Sequence, residues 1–459
     1  MSRAALHCIV LAAGQGTRMK SARPKVLHVV GGRPMLGHVL DAARALGADT
    51  CHVVHGHGGA AVRAAFAAST DVDWVLQAEQ RGTGHAVQQA MPQVPDDAQV
   101  LVLYGDVPLV TPETLRRLAD AAREGLALVT VSVAQPTGYG RILRDASGAV
   151  TGIVEEKDAT DAQRAISEIN TGFLAAPAGL LRSWLAQLTH HNANGEYYLT
   201  DVVGMAVRDG IAVTAVAAAS AEEVEGVNDR AQLARAERAW QRRQAERLMR
   251  DGVSFADPSR FELRGSLKAG RDVFIDVGVI IEGDCVLGDE VQIGPYTLLR
   301  NVQLGAGSLV RSHSVLEGLQ TGARCQIGPF ARVRPDSHFA DDVHIGNFVE
   351  VKKGRLGEAT KAGHLAYLGD AEIGARVNVS AGVITCNYDG ANKHVTVIGD
   401  DAFIGTDSQL VAPVTVERGA YVAAGSTITK TAPAEALTIC RAREQRSIAG
   451  WKKPSKKKT

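Results

Sequence analysis

The 459-residue chain has no net charge and no long hydrophobic run. Because 50 basic residues balance 50 acidic ones, the chain lacks the overall positive field that favours nucleic-acid binding. No apolar run approaches the roughly 20 residues that span a bilayer, and the first residues lack the pattern of a secretory signal. These absences predict a cytoplasmic protein without membrane insertion.

Cysteine is scarce, and the six cysteines are scattered without a Cys-x-x-Cys pair. That spacing argues against a zinc site or a disulfide framework and predicts free thiols. Aromatic residues make up only 5% of the chain, whereas glycine occurs 48 times. The length exceeds that of one ordinary core and predicts two domains of about 200 residues each.

A glycine-containing turn lies near the start of the chain. A predicted strand ending at Leu11 is followed by Gly14 and Gly16, and then by Arg18 and Lys25. Glycines let backbone N–H groups approach an anion, and the basic side chains add positive charge. The spacing fits neither a Walker loop nor the three-glycine dinucleotide fingerprint. The turn therefore predicts a phosphate site of another kind, with a solvated strand-to-helix connection as the alternative.

Polar motifs also follow later predicted strands of the first half. Residues 100–104 form an almost wholly apolar strand that ends in Gly105 and Asp106. A single Asp at the carboxyl end of a buried strand suits a ligand or metal, although capping of the next turn is the alternative. The alternation of strands and helices predicts a doubly wound, Rossmann-like α/β domain.

Seven motifs follow one another in a specific order in this half: GxGTRM, QAEQxGTGHA, YGDVPL, PTGYGRI, EINTG, NGEYYLTD and EGVN. The first of them resembles the nucleotidyltransferases that activate sugar phosphates. The whole series resembles the uridyltransferase half of the bacterial bifunctional N-acetylglucosamine-1-phosphate uridyltransferase/glucosamine-1-phosphate acetyltransferase family. The resemblance covers the chain from about residue 6 to the tail.

The resemblance implies roles for individual residues of the first half. It implies that Asp106 and Asn228 bind Mg²⁺, that Arg18 and Lys25 bind phosphate and serve catalysis, and that Gly140, Glu155 and Asn170 receive the sugar. The remaining implied contacts to the nucleotide and sugar are Leu11, Ala12, Ala13, Gly14, Gln77, Gly82, Thr83, Tyr104 and Gly105.

The second half begins with a predicted helix and continues with a repeat. Residues 228–251 contain no Gly or Pro and predict a long helical linker, which separates domains at 1–227 and 252–459. Beyond it a branched apolar residue recurs every six residues, as from Ile281 to Leu299, from Ile327 to Val351 and from Ile398 to Ile428. This period predicts a parallel β-helix. We expect loops or irregular coil where the register breaks, near 301–320 and 354–374. The charged end, from Arg441 to Lys458, predicts a solvated basic tail.

Residues that a purely structural coil would not need occur between Arg332 and Asp389. Positive charge near His364 suits a sugar phosphate whose amine must lose a proton, because neutral histidine accepts protons near pH 7. A histidine on a solvent-facing coil edge is the alternative. The strings KAGHLAYLGDAEIG and ITCNYDGANK resemble the acetyltransferase half of the same family.

That second resemblance implies a left-handed coil, a homotrimer, and His364 as general base. It assigns glucosamine 1-phosphate to Arg334, Lys352, Tyr367 and Asn378, and places Asn387 and Tyr388 at the point of acetyl transfer. Acetyl-CoA would contact those two residues together with Ala381, Thr406, Ala424 and Arg441. Thr406 stands where the family often has serine, and it keeps the hydroxyl.

The resemblance thus implies a bifunctional enzyme of UDP-N-acetylglucosamine synthesis, which serves peptidoglycan and lipopolysaccharide formation. Glucosamine 1-phosphate is acetylated by acetyl-CoA, and N-acetylglucosamine 1-phosphate then reacts with UTP to release pyrophosphate. One alternative is a single-activity nucleotidyltransferase whose β-helix only trimerises or regulates. A second alternative is a non-catalytic subunit that binds sugar nucleotides.

Overall fold

A computed structural model of the chain describes residues 4–441, 447 and 449. The chain divides into two compact units, Met1–Trp240 and Gln241–Thr459. Among the described residues, no helix is both long and apolar enough to cross a membrane. All six cysteines are free thiols, as the sequence predicts. The predicted basic tail after Arg441 lies almost entirely outside the described residues.

The first unit is built on a mixed β-sheet with helices on both faces. Its strands are β1 (Leu6–Ala12), β2 (Val29–Val30), β3 (Arg33–Pro34), β4 (Thr50–His55), β5 (Val72–Leu76), β6 (Gln99–Tyr104), β7 (Leu126–Ser132), β8 (Arg141–Arg144), β9 (Val150–Val154), β10 (Glu168–Pro177) and β11 (Val213–Ala217). Its helices are α1 (Met35–Leu46), α2 (Gly59–Ala65), α3 (Thr83–Ala90), α4 (Pro112–Ala121), α5 (Asp161–Arg164), α6 (Ala178–Leu185), α7 (Asp201–Arg208) and α8 (Ala221–Val224). Three short 3₁₀ turns cover Thr17–Met19, Lys25–Leu27 and Met91–Gln93.

The order of strands places the predicted motifs at one edge of this sheet. The main path runs β11-β7-β10-β6-β1-β4-β5, and β8 and β9 form a hairpin attached to β10. β1 pairs in parallel with both β6 and β4, so the chain leaves these three strands at the same edge. β10 runs antiparallel to β6 and β7. The predicted doubly wound α/β domain is confirmed, with β10 reversed on the main path and β9 reversed in the attached hairpin.

A long helix, α9 (Arg230–Arg250), follows the sheet and matches the predicted linker helix closely. In the first unit, Ala236 and Ala239 of α9 join a small apolar cluster with Val30 and Leu109. In the second unit, its C-terminal part contributes to the core of the repeat domain.

The second unit is a parallel β-helix with three faces. A 3₁₀ turn, Pro258–Arg260, precedes its first long strands. Face 1 contains β12 (Ser254–Phe255), β14 (Phe274–Ile275), β16 (Gln292–Ile293), β19 (Leu309–Val310), β22 (Gln326–Ile327), β25 (His344–Asn347), β28 (Lys361–His364), β31 (Asn378–Val379), β34 (Phe403–Ile404), β37 (Tyr421–Val422) and β39 (Leu437–Thr438).

The other two faces share a second sheet that begins with two long strands, β13 (Glu262–Ala269) and β15 (Ile280–Leu287). Face 2 continues with β17 (Leu298–Arg300), β20 (Val315–Glu317), β23 (Arg332–Val333), β26 (Glu350–Lys352), β29 (Tyr367–Gly369), β32 (Ile384–Cys386), β35 (Gln409–Val411) and β38 (Thr427–Ile428). Face 3 continues with β18 (Gln303–Leu304), β21 (Leu319–Thr321), β24 (Ser337–Phe339), β27 (Arg355–Leu356), β30 (Ala371–Ile373), β33 (Thr396–Ile398) and β36 (Val414–Val416).

The hexad prediction is confirmed, because every apolar residue assigned to it is buried in one continuous core. Of the two alternatives for the register breaks, irregular coil is confirmed and protruding loops are wrong. In both intervals the coil continues and is one residue shorter than three hexads, so that Val310 pairs with Ile327 and Ile345 with Ala362. The extra chain lies later, between β32 and β33, where Ile373 pairs with Ile398 across a longer coil. We call residues 387–395 the inserted loop.

The corner between face 1 and face 2 has a recurring backbone conformation. One residue in each of five successive coils has a positive φ at this corner, between 45° and 58°. These residues are Tyr296, His313, Phe330, Phe348 and Leu365. The first four rings follow one another at centroid distances of 5.0 to 5.3 Å; His313, Phe330 and Phe348 stack, whereas Tyr296 is tilted against His313.

Candidate functional sites

Three side chains from distant parts of the first unit meet at the carboxyl edge of the sheet. Lys25 forms an ion pair with Asp106, and its Nζ atom also lies 3.1 Å from Oδ1 of Asn228. Asp106 follows β6, whereas Asn228 lies just before α9. A carboxylate oxygen and an amide oxygen, from the two residues predicted to bind the metal, therefore converge on one cationic atom.

A cavity of about 330 Å³ adjoins this cluster. Predicted residues that line it are Leu11, Ala12, Ala13, Gly14, Lys25, Gln77, Gly82, Thr83, Tyr104 and Asp106. Gln80 and Glu196 line it too, and sequence reasoning missed both, although each lies inside a motif that it singled out. A larger cavity of about 690 Å³ lies near the amino ends of β1 and β6 and contains none of the predicted residues. We place the candidate site in the smaller cavity, because the polar groups converge there.

The two glycines of the turn differ in what surrounds them. A Cβ atom on Gly14 would meet nothing within 4 Å, and Gly14 lines the cavity. Gly16 has a φ of 64°, and a Cβ there would lie 2.8 Å from Cβ of Lys25. Gly14 therefore leaves space for a ligand, whereas Gly16 is required by the turn itself. Arg18 is exposed beside them.

The opposite wall of the cavity is held by backbone contacts around Gln77 and Gly82. Gln77 is buried, and its amide Nε2 donates to the carbonyl of Gly82 at 3.2 Å. Gly82 has a φ of 109°, and a Cβ there would lie 2.6 Å from the carbonyl oxygen of Tyr197. Thr83 accepts a hydrogen bond from the Leu199 N–H. These contacts bind the QAEQRGTGHA loop to the NGEYYLTD loop.

The residues predicted to receive the sugar also lie close together. Gly140 packs against Glu155, since a Cβ on Gly140 would lie 3.4 Å from its carboxylate oxygens, and the backbone N–H of Asn170 donates to the Gly140 carbonyl. Burial raises the pKa of Glu155, although the hydrogen bond from Thr200 at 3.0 Å opposes the shift. Burial and the nearby carboxylates likewise raise the pKa of Tyr104.

A buried arginine supports this group, and sequence reasoning missed it. Arg141 has only 1% of its side chain exposed and forms an ion pair with Glu156 at 2.7 Å. Its guanidinium also donates to the carbonyls of Tyr139 and Arg164. Since Arg141 and Glu156 directly follow Gly140 and Glu155 in sequence, this pair joins the two segments that form the predicted sugar site.

A second polar group lies in the β-helix, at the corner between face 2 and face 3. Nζ of Lys352 lies 3.7 Å from Asp370, and the Asn387 amide donates to the same carboxylate. Lys393, in the inserted loop, contacts Lys352, and this contact lowers the pKa of Lys393. Sequence reasoning missed Lys393. Two amines held together favour an anion between them, because each ammonium raises the free energy of the other.

Arg334 and Tyr388 flank this corner. Arg334 forms an ion pair with Glu350 at 3.3 Å. Tyr388 is 59% exposed in the inserted loop, and its hydroxyl donates to the Gly390 carbonyl at 2.6 Å. Tyr367 lies on face 2, where its partner in the neighbouring strand is Glu350.

His364 lies at the other edge of face 2, at the corner with face 1. It is the last residue of β28 and pairs in register with Asn347, the last residue of β25. Nδ1 of His364 lies 2.9 Å from Oδ1 of Asn347. Asn378, in β31, lies on face 1 opposite Lys361. Outward side chains of different faces diverge, so one chain does not bring Asn378 against Lys352 and Tyr367.

The residues predicted to contact acetyl-CoA form a row along the corner that contains His364. The Leu365 carbonyl accepts from Gly382, and the Ala381 carbonyl accepts from Asp407. The Thr406 carbonyl accepts in turn from Gly425. The row ends where the Arg441 guanidinium donates to the Ala424 carbonyl at 2.9 Å. Ala381, Thr406, Ala424 and Arg441 thus occupy successive coils above the histidine.

The donor set of the first unit fits a magnesium ion. No cluster of three or more His, Cys, Asp or Glu side chains with metal-ligand geometry occurs in the described part of the chain. Mg²⁺ commonly takes one or two protein oxygens and completes its shell with water and substrate phosphates. Asp106 and Asn228 supply two such oxygens at a position where one cation, the Lys25 ammonium, already contacts both.

Comparisons with known proteins agree with this division. A model of the MobA-like NTP transferase domain matches residues 8–196, and a model of the bacterial transferase hexapeptide (six repeats) matches residues 396–430. The chain is 60% identical over 453 residues to the bifunctional protein GlmU of Alkalilimnicola ehrlichii, covering 99% of this chain and 97% of that protein. It is 57% identical to the proteins of that name from Stenotrophomonas maltophilia and Aromatoleum aromaticum, with 98–99% of this chain and 99% of each relative covered.

Proposed function

The chain belongs to the family of bifunctional GlmU proteins, and from this membership and the two separate polar groups we infer an enzyme with two transferase activities. The first unit is the uridyltransferase, and the β-helix is the glucosamine-1-phosphate acetyltransferase. One observation supports assigning one activity to each unit. Lys25, Asp106 and Asn228 converge in the first unit, whereas His364 lies in the second.

In the uridyltransferase, a phosphate oxygen of N-acetylglucosamine 1-phosphate attacks the α-phosphorus of UTP, and pyrophosphate leaves. The protein's task in such a reaction is to align the two reactants and to neutralise their charge. We assign the nucleotide to the cavity beside Gly14, Gln77 and Gly82. The sugar then occupies the side of Gly140 and Glu155, and Lys25 and Arg18 face the phosphates.

Mg²⁺ is the metal that we propose for this site, with Asp106 and Asn228 as its protein ligands. When bound, the ion would neutralise charge on the phosphates of both reactants. Lys25 holds both ligand side chains at the sheet edge, and its ammonium remains available to a phosphate oxygen.

In the acetyltransferase, the amine of glucosamine 1-phosphate attacks the thioester carbonyl of acetyl-CoA, and the thiol of CoA leaves. We propose that His364 accepts the proton of the amine. The two amines of Lys352 and Lys393, together with Arg334, provide the positive charge for the sugar phosphate. Asn387 and Tyr388 border the transfer point, and the row from Ala381 to Arg441 provides an edge along which acetyl-CoA can lie.

We propose a homotrimer, as the family resemblance implies; that the predicted acetyltransferase residues lie on two diverging faces of one coil supports a site shared between copies. Asn378 on face 1 and Tyr367 on face 2 can contact the same ligand only when a second copy packs along the shared corner. The domain boundaries that we propose remain 1–227, 228–251 and 252–459. We propose a cytoplasmic location, since all six thiols are free and the substrates are UTP and acetyl-CoA.

The two-site assignment is tested by following two products separately. With glucosamine 1-phosphate, acetyl-CoA, UTP and Mg²⁺ supplied together, the wild-type protein should release both CoA and pyrophosphate. D106A should abolish pyrophosphate release from N-acetylglucosamine 1-phosphate and spare CoA release, whereas H364A should do the reverse. Release of pyrophosphate without CoA by the wild type would instead support a single-activity enzyme with a non-catalytic β-helix.

Mixing experiments test the shared acetyltransferase site. K352A and N378A should each lose at least about 10-fold of the acetylation rate, because each removes a contact to the sugar phosphate. Co-refolded mixtures of the two variants should regain activity, since some sites then combine an intact Lys352 with an intact Asn378 from different copies. Mixtures that stay as inactive as their components would contradict a site shared in this way.

A further inference from the structure

Asn347 is the only side chain that hydrogen-bonds the His364 imidazole among the contacts found in the described part of the chain. The two residues end neighbouring strands of face 1 and pair in register. The Leu365 N–H donates to the Asn347 carbonyl at 3.0 Å, so the backbone also holds the two corners together. Phe348 and Leu365, which follow them, share the left-handed conformation of this corner. The asparagine therefore occupies a fixed position beside the histidine.

We propose that Asn347 is a positioning residue for acetyl transfer, which holds His364 in the tautomer that leaves Nε2 free to accept a proton. The inference rests on the proposed role of His364 as general base. The amide oxygen Oδ1 of Asn347 is only an acceptor, so the Nδ1 atom facing it must carry a hydrogen. In neutral imidazole the lone pair is then on Nε2, which points away from Asn347.

The surrounding charges make this hydrogen bond important for the protonated form as well. His344 lies one coil before His364 on the same face, and Lys361 begins the strand that His364 ends. Burial lowers the pKa of His344, and the neighbouring Arg311, Lys361 and His364 lower it further, so both side chains belong to a basic group. On the following strand of face 1 the residue opposite Lys361 is the uncharged Asn378. Asn347 thus offers the imidazolium an oxygen acceptor in a positive environment.

Two substitutions of Asn347 separate positioning from mere packing. N347A removes the acceptor and leaves the imidazole free to rotate and to adopt either tautomer. We expect kcat for acetylation to fall about 10-fold, which corresponds to one lost hydrogen bond, with KM for acetyl-CoA unchanged within about twofold. N347D keeps an acceptor and adds a negative charge, which stabilises the imidazolium.

N347D should therefore retain most of the activity above pH 8 and shift the acidic limb of the kcat/KM profile upward by about one pH unit. The matched control is Q326A, which removes an exposed amide on the same face, opposite His344 in the neighbouring strand. That variant should keep both kcat and the wild-type pH profile.

The results have distinct meanings. If N347A keeps the wild-type kcat, Asn347 does not position His364. If N347D is inactive at every pH, the role of Asn347 as an acceptor is wrong, because a donor from Asn347 to Nδ1 would then fit better. If H364A itself keeps acetylating, the general-base assignment fails, and the proposed function of this site fails with it. Loss of activity in H364A together with a normal N347A would overturn only the present inference.

Discussion

Lys25 forms an ion pair with Asp106 at the carboxyl edge of the sheet, and each side chain keeps only 14% of its surface exposed. The proposed phosphate ligand and the proposed metal ligand thus neutralise each other. A metal ion approaching Asp106 must compete with an ammonium group that is held in place. This competition has a measurable consequence for the metal requirement.

We expect K25M to lower the Mg²⁺ concentration that gives half of the maximal uridyltransferase rate, because the Asp106 carboxylate then lacks its positive partner. The same variant should raise KM for UTP about 10-fold, since a charged contact to phosphate is lost. Pyrophosphate release, titrated separately with Mg²⁺ and UTP, measures both effects. K20M, which changes an exposed lysine of the same loop, is the control. Unchanged Mg²⁺ dependence in K25M would contradict the competition.

The two glycines of the phosphate turn should respond differently to alanine. G14A places a methyl group in the cavity without a clash, so the thermal midpoint of unfolding should not change, while kcat/KM for UTP falls at least about 10-fold. G16A forces alanine to a φ of 64° against Lys25, which should cost about 1–2 kcal/mol of stability. Thermal unfolding and pyrophosphate release of the two variants distinguish these effects. A stable, fully active G14A would remove Gly14 from the nucleotide site.

The raised pKa of Glu155 predicts a pH-dependent stability difference. Because burial raises its pKa, the Glu155 carboxyl binds a proton more tightly in the native state than in the unfolded chain. The protonated carboxyl therefore makes its full contribution to the free energy of unfolding below the unfolded pKa of about 4.3. That contribution is lost as the pH rises through the folded pKa. The glutamine of E155Q cannot ionise. The difference in thermal midpoint between E155Q and wild type should therefore increase, in favour of E155Q, as the pH rises from 4.5 to 8. A difference that does not vary with pH would show that burial does not destabilise the ionised carboxylate of Glu155.

Arg141 should matter for the sugar rather than for the nucleotide. R141M leaves Glu156 without its partner and loosens the segments that hold Gly140 and Glu155. We expect KM for N-acetylglucosamine 1-phosphate to rise about 10-fold, while KM for UTP changes less. R144M is the matched control, because Arg144 lies on the same hairpin as Arg141 and its ion pair with Glu168 is more exposed. Equal changes in both KM values would indicate general loosening of the unit instead.

The hexad residues show what local sequence can specify in this chain. The residues assigned to the hexad series between Ile281 and Ile428 are all buried because the period of six repeats the same local geometry, and no distant partner is needed to recognise it. The strand-end position of Asp106 was predictable for a similar reason. Parallel strands leave a sheet at one edge, so a polar residue after an apolar strand faces the cavity there.

Contacts between distant segments were beyond this kind of reasoning. The convergence of Lys25, Asp106 and Asn228 joins three motifs that only the folded sheet brings together, and it was expected from family resemblance alone. The Asn347–His364 contact depends on a coil one residue shorter than three hexads, a detail that the period does not reveal. Lys393 escaped notice because its contact with Lys352 depends on where the inserted loop folds back.

The inserted loop shows how this scaffold can acquire new chemistry. Because Ile373 pairs with Ile398 and Val379 with Ile404 across the longer coil, the buried column keeps its register although the chain leaves it for residues 387–395. The length of the inserted loop can therefore change without changing the register of the buried column. A loop of another length or composition, grafted between Cys386 and Thr396, would leave the column intact and change the groups that we propose to contact the amino sugar and the acetyl group. The corner is a natural site for redesigning which amino sugar is acetylated.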